Sequence, residues 1–407
     1  MNLWIVNHYA GRPIDRMGGS RHSSLASNLS RFGWKTTILA ASTNHRTRVQ
    51  RSEDTESAQT SDSVTWRLIK SPNYAAHGIL RVWNIVVFSL RLLLPRSTND
   101  LATPDVVIGS TVHPFAAWSA LRLARRNKAP FVFEVRDLWP ETLIDMGAIK
   151  RNGLPARLLR ALERHLYKNS ALIITTMPAA FDYIEQFGIE RDHVVWISNG
   201  ADLEGFSITP PPMNSQFQFL YFGAHGSAND LETILDAFGI ATRQNADPMT
   251  LRLVGDGPLK PHLIQHAVEL GLDGRVFFDP QVPKFQIPEL SRTADALVVS
   301  LLPLDLYRFG ISLNKIYDYL ASARPILFGG DPINNPVDEA KAGVCRKKNE
   351  ASEIAEGMLK LVRSNFEQRA AWGSNGYKHA EQNYSYLRLA EKLNRCLETV
   401  VDHAPCR

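Results

Sequence analysis

Apolar, β-rich runs alternate with helical stretches from one end of the 407-residue chain to the other, the pattern of parallel sheets built from βαβ units. In the first half the runs are Leu3 to Val6, Thr36 to Ala40, Thr65 to Leu68, Val106 to Ile108, Phe131 to Glu134, Leu172 to Thr175 and Val194 to Ile197. The pattern restarts with Phe219 to Phe222 and continues through Thr250 to Val254, Val276 to Phe278, Ala296 to Val299, Pro325 to Leu327 and Gly343 to Cys345. The chain is too long for one ordinary core, so two α/β domains are expected. The stretch between them, 206–216, holds Pro210, Pro211 and Pro212, which disfavour helix and sheet alike and suit a linker. The expected division is 1–205, a linker at 206–216, a second domain at 217–368, and helices at 369–407 returning to the first. Asn44 to Ser63, polar and without apolar period, reads as a mobile loop.

Composition excludes several classes. With 44% hydrophobic and 21% charged residues and no long biased tract, the whole chain is expected to fold. Cys345, Cys396 and Cys406 are odd in number and lack metal-ligand spacing, which fits a reducing cytoplasm better than a disulfide framework. The first residues read as a strand and not as a signal peptide. Charge is uneven: 25 Lys and Arg face 18 Asp and Glu up to Gly205, against 21 and 23 beyond it. The basic residues gather around two apolar segments. Ile79 to Pro95 is too short to span a bilayer and carries Arg81 and Arg91. Leu154 to Tyr167 sets Arg157, Arg160, Arg164 and Lys168 on one helical face. Contact with an anionic membrane surface and a plain solvated helix face are both open readings.

Four segments carry candidate chemistry. After the first strand, Gly18, Gly19 and Ser20 lead into a helix, where free amides and a positive helix end suit an anion or a close polar ligand. After Phe133 come Glu134, Arg136, Asp137, Trp139 and Glu141, an unusual density of charge at a strand end. Asp137 is placed to handle an acceptor hydroxyl proton and Trp139 to face a sugar ring. The alternative is an Arg136 salt bridge beside a packed tryptophan.

In the second half, Gly223, His225 and Gly226 form a turn ahead of a helix, and Gly255 and Gly257 form another after Leu251 to Val254. Both turns suit a nucleotide lying against backbone. The fourth segment, Tyr307 to Tyr319, runs through a glycine loop into a helix whose start holds Ser312, Asn314 and Lys315, with Asp318 a turn on. An ammonium and free amides there would hold a leaving diphosphate, and Asp318 a ribose hydroxyl pair. The competing reading has Ser312 or Asn314 capping the helix and Lys315 paired with Asp318.

With these segments in this order the chain resembles glycosyltransferase family 4, whose fold is GT-B: two facing Rossmann-like domains with parallel sheets and a central cleft. It is most similar to the bacterial branch that builds surface polysaccharides such as O-antigen, capsule and exopolysaccharide. There Phe131 to Glu141 recurs, followed by a basic helix and a turn like Asn199 to Asp202. The resemblance implies a UDP-sugar donor in the second domain and an acceptor in the first, bound near Gly18, Gly19, Ser20, Arg136, Trp139 and Asn199. It implies transfer with retention, without a metal or other cofactor, of a sugar such as an N-acetylated hexosamine or deoxyhexosamine. The implied acceptor is a polyprenyl-diphosphate-linked sugar or a saccharide, met peripherally at the inner leaflet of the membrane; nucleic acid is not an expected partner. The family's paired acids map onto Gly310 and Asp318, so one acid is missing, and His225 and Asn229 stand where relatives carry Arg and Lys. Lys315, Ser312, helix amides and Arg308 are then the expected diphosphate grip, with Asp137 and Lys315 as the catalytic pair. A GT-B protein without turnover, acting as a binding partner, and a nucleotide-sugar 2-epimerase are the alternatives.

Overall fold

The computed structural model describes residues 1–15, 21–44, 50–51, 63–74, 78–111 and 113–403. The glycine pair at 18–19 with Ser20, most of the loop read at 44–63, and Cys406 lie outside them.

Within the described residues, each expected run forms a strand. The first sheet comprises β1 (Asn2–Val6), β2 (Lys35–Ala41), β3 (Val64–Ile69), β4 (Val106–Ser110), β5 (Phe131–Val135), β6 (Leu172–Thr175) and β7 (Val194–Trp196). All are parallel, in the order β3-β2-β1-β4-β5-β6-β7. In β1, which pairs with β2 on one side and β4 on the other, Leu3 and Ile5 on one face and Trp4 and Val6 on the other are all buried, so this central strand is apolar on both faces, as parallel strands covered by helices are. The second sheet comprises β8 (Phe217–Phe222), β9 (Met249–Val254), β10 (Val276–Asp279), β11 (Ala296–Ser300), β12 (Ile326–Gly329) and β13 (Gly343–Arg346). It too is parallel, ordered β10-β9-β8-β11-β12-β13.

The crossovers of the first sheet use α1 (Arg21–Leu29), α2 (Ile79–Leu92), α3 (Pro114–Arg126), α4 (Glu141–Asp145), α5 (Leu154–Lys168) and α6 (Phe181–Ile184). Those of the second use α7 (Leu231–Gln244), α8 (Lys260–Glu269), α9 (Ile287–Arg292), α10 (Asn314–Ala321), α11 (Pro336–Glu339) and α12 (Ala351–Val362), followed by α13 (Phe366–His379) and α14 (Tyr386–Asp402). Local chemistry sets several starts. The His113 ring accepts the Ala116 amide at 3.2 Å to cap α3, Asn365 accepts the Gln368 amide at 2.8 Å to cap α13, and a proline sits in the first turn of α5.

One compact unit is Met1–Ser198 with Tyr386–Arg407, the other Asn199–Ser385. The chain therefore leaves the first unit before the proline-rich 206–216 segment, and of the C-terminal helices α13 packs in the second unit while α14 joins the first. Apolar periodicity puts Leu389, Leu393 and Leu397 of α14 in one core with Leu25, Leu29 and Trp34, and the Trp34 indole donates to Asn394 at 2.7 Å. The second core gathers Phe219, Tyr221, Phe238, Leu251, Leu253, Ile354 and Met358 between the sheet and its helices. Each such large side chain contributes about 1.5–3 kcal/mol by leaving water.

In both sheets the strand order reverses beside the strand that comes first in sequence, between β1 and β4 and between β8 and β11. Loops at the carboxyl ends there diverge and leave room for ligand.

Candidate functional site

At the reversal point of the second sheet, the loop after β8 meets the start of α10, which follows β11. Lys315, in the first turn of α10, donates from Nζ to the Tyr221 hydroxyl at 2.8 Å and to Oδ1 of Asn229. Its ammonium lies 4.4 Å from the centre of the Tyr221 ring. The Tyr221 hydroxyl gives its own proton to the Ala224 carbonyl at 2.8 Å, so a lone pair faces the lysine. Lys315 thus has two neutral partners and, among the described residues, no carboxylate at ion-pair distance. Burial lowers its ammonium to about 7. An anion delivered here would supply the missing countercharge.

The start of α10 is otherwise uncapped. Leu313 holds the cap position, and among the described residues no side chain bonds the first amides. Ser312 is held by the Asn199 amide, which donates to the Ser312 carbonyl at 2.7 Å and to its Oγ at 2.8 Å. Asn199, expected with the acceptor, thereby fixes the loop that delivers Lys315. Its own amide oxygen is buried without a hydrogen-bond partner. Asn314 is exposed.

The Lys315–Asp318 pair weighed from sequence does not form. Asp318 lies 3.6 Å from Lys284; burial raises its carboxyl, Lys284 opposes this and Asp202 adds to it. Arg308 is exposed and stacks on Phe309 at 4.6 Å. Gly310 has φ +103°, a backbone region costly for any side chain, so a glutamate is disfavoured where the family places its first acid. Asn334 steadies this loop, accepting the Ile311 amide at 2.7 Å.

The glycine turns serve one another. A Cβ on Gly255 would come 1.9 Å from the Gly223 carbonyl oxygen, and one on Gly257 2.3 Å from that of His225, so the loops after β8 and β9 pack backbone on backbone. His225, expected to touch the donor, is closed off from solvent. Its amide donates to Asp256 O at 2.9 Å, its carbonyl accepts from Leu259 at 3.1 Å, and burial first, then Lys260, lowers its ring to about 4. In this conformation it packs the loop. Gly226 has open space around it.

In the first unit the charged segment after β5 divides. Glu134 is buried and tied to α1: Arg21 Nε donates to Oε1 at 2.9 Å, and His22 Nε2 lies 2.6 Å from Oε2. Burial alone would raise this carboxyl, but the cations around it hold it well below the usual range. Glu141 pairs with Arg160 at 2.7 Å and Arg151 at 3.1 Å. Both acids are structural, and Arg160 is drawn from the basic face of α5.

Asp137 alone is exposed. Surrounding protein raises its carboxyl while Arg136 opposes the shift. The Arg136 salt bridge considered from sequence is absent among the described residues, and Arg136 Nε and Trp139 Nε1 are both buried without hydrogen-bond partners. At the reversal point of this sheet, His8 and His113 lie 2.6 Å apart. Because His113 Nδ1 accepts the Ala116 amide, its Nε2 carries the proton and donates to His8 Nδ1.

Sequence reasoning missed Tyr221 and the histidine pair. Tyr221 lies inside the apolar run Phe217 to Phe222, and the histidines are 105 residues apart.

Two domain families match the chain in tandem. Residues 18–200 match the glycosyl transferase 4-like domain and residues 210–379 the glycosyl transferases group 1. The chain belongs to the glycosyltransferases. This glycosyltransferase is 24% identical over 345 residues to the probable glycosyltransferase WbjE of Pseudomonas aeruginosa, covering 81% of this chain and 82% of that protein. Its fold is shared with sucrose-phosphate synthase from Thermosynechococcus elongatus (TM-score 0.75, 14% identity, 98% and 99% of the two chains). It is shared also with HepE of Anabaena in complex with UDP and glucose (0.68, 15%, 98% and 99%), and with WaaG, a glycosyltransferase involved in lipopolysaccharide biosynthesis (0.68, 13%, 98% and 99%). The GT-B fold of this glycosyltransferase is thus the one expected. Its second family match contains Tyr221, Asn229 and Lys315, and its first contains Glu134 to Trp139.

Proposed function

We propose that the protein moves a sugar, such as an N-acetylated hexosamine or deoxyhexosamine, from a UDP-sugar to a lipid-linked or saccharide acceptor in surface polysaccharide assembly. Lys315 carries this reading: an ammonium whose partners among the described residues are neutral, at the reversal point of a parallel sheet and beside uncapped helix amides, has the chemistry of a diphosphate site. HepE, solved with UDP and glucose, and WaaG, involved in lipopolysaccharide biosynthesis, share this fold and support the donor and the pathway class.

In this reading the donor C1–O bond breaks and UDP leaves with the electron pair. The acceptor oxygen attacks the same face of C1, and its proton passes to the leaving phosphate. Lys315 and the α10 amides stabilise the charge that develops on that phosphate, and Asp318 takes the ribose. Asp137 orients the acceptor hydroxyl and Trp139 the sugar ring. No metal is required for these roles, so EDTA is expected to leave transfer unchanged. The acceptor is met at the cytoplasmic face of the membrane. Turnover with a panel of UDP-sugars tests the reading, with UDP release as the readout.

Gly310 favours one second reading, a partner subunit that binds donor without turnover, because its backbone disfavours the family's first acid. UDP binding without release from any sugar donor supports that reading against ours.

A further inference from the structure

Helix α2 turns an apolar face to solvent. Asn84, Phe88 and Leu92, four residues apart, are buried and face the protein. On the other side Ile79 (87% exposed), Trp83 (55%) and Leu90 (56%) form a stripe with Val86, extended by Leu94 beyond the helix. Leu80, Val82 and, on α3, Phe115 are exposed beside it. A soluble helix of this kind ordinarily shows polar side chains outward, so the stripe calls for a partner.

Charge points to the partner. From Ser63 to Phe133 the sequence carries nine Lys and Arg against two Asp, and Asp100 is paired with Arg67. Several of these cations border α2. Arg96 is exposed just past its end, and Arg126 places its guanidinium 3.5 Å from the Leu93 carbonyl and 2.5 Å from Asn99 Oδ1. Arg122 stands exposed a turn earlier on α3, which packs against α2. An apolar stripe with a central tryptophan and an arginine border complements an anionic phospholipid surface: the stripe enters the acyl boundary and the guanidinium groups meet phosphates. Among the described residues no helix is long and apolar enough to cross a membrane.

We infer that α2 is the membrane-docking element of this protein, inserting Ile79, Trp83, Val86 and Leu90 into an anionic bilayer surface. Docking there has a use. As a crossover helix, α2 begins at the carboxyl edge of the first sheet, and Arg81 Nε donates to the Tyr9 hydroxyl at 3.1 Å, tying that start to the loop after β1. A sugar on a lipid carrier anchored in the same bilayer would be presented at that edge. This purpose rests on the lipid-linked acceptor reading, whereas the surface itself does not.

Vesicle flotation of the full chain separates the two. The protein should float with vesicles of phosphatidylglycerol and phosphatidylethanolamine, less with phosphatidylcholine alone, and progressively less as salt is raised. The double variant Trp83→Ser/Leu90→Ser should lose at least about tenfold in partitioning, with its melting temperature and UDP affinity unchanged. Undiminished flotation of the variant overturns the inference, as does failure of the native chain to float. So does a concentration-dependent dimer that the variant abolishes, since the stripe would then meet a second copy. Flotation without UDP release from any donor would sink the transferase reading and leave the docking surface standing.

Discussion

Lys315 and Tyr221 meet across the reversal point of the second sheet, ammonium to hydroxyl at 2.8 Å, and the tyrosine proton is already committed to Ala224 O. The lysine is positioned by groups that cannot neutralise it. That arrangement favours a ligand bringing negative charge.

Proton uptake follows from this. With its ammonium lowered to about 7 by burial, Lys315 is only partly protonated at neutral pH, and a bound diphosphate favours the charged form. Titration of a UDP-sugar near pH 7 in two buffers of different ionisation enthalpy should show uptake of about half a proton. Affinity should fall as pH rises above 7. Pyrophosphate diesters do not titrate there, so pH-independent binding would remove Lys315 from the contact.

Asp318 and Asp137 should separate in kinetics. Asp318→Asn is expected to weaken UDP binding by roughly tenfold to hundredfold, the value of one hydrogen bond to a charged group, with little change in the response to acceptor. Asp137→Asn should lower kcat with donor affinity retained. Equal effects of Asp137→Asn on both would make it a structural residue.

Glu134 predicts an acid limit. Its carboxyl is held well below 4.5, so the stability it contributes is present above that value and is lost as pH falls through the folded-state value. Glu134→Gln, which leaves buried Arg21 without its countercharge, should cost about 3–5 kcal/mol at neutral pH by urea denaturation. The gap between the two proteins should narrow on acidification.

Glu163 predicts the opposite slope. It is buried on α5, accepts from the Tyr167 and Tyr183 hydroxyls at 2.8 Å each, and is pushed up to about 8 by burial. A raised acid contributes stability fully below its unfolded value of 4.5 and loses it as pH rises through about 8, a swing of roughly 5 kcal/mol at most. Glu163→Gln should therefore flatten the decline in melting temperature between pH 5 and pH 9. An unchanged pH profile would mean that Glu163 is ionised throughout.

The strands were legible because parallel strands covered on both faces read as unbroken apolar runs, as Phe219 to Phe222 and Val106 to Ile108 do. Lys315 was legible because a glycine loop before a helix is a local pattern. Its partner Tyr221 was not, since inside an aromatic strand it is indistinguishable from core, and only the pairing of β8 with β11 brings the two together. Glu134 and Asp137 looked alike in sequence. What separates them is Arg21 and His22, more than a hundred residues away, which claim the first and leave the second exposed. The glycine turns were visible, but their packing on one another depends on the pairing of β8 with β9.

The central claim is that Lys315 receives the donor diphosphate, and calorimetric titration of a UDP-sugar into the native protein and Lys315→Met tests it most directly. Loss of a charge-assisted contact of about 1.5–3 kcal/mol predicts affinity roughly tenfold to hundredfold weaker in the variant, with the fold intact by circular dichroism. Unchanged affinity in Lys315→Met would contradict the account.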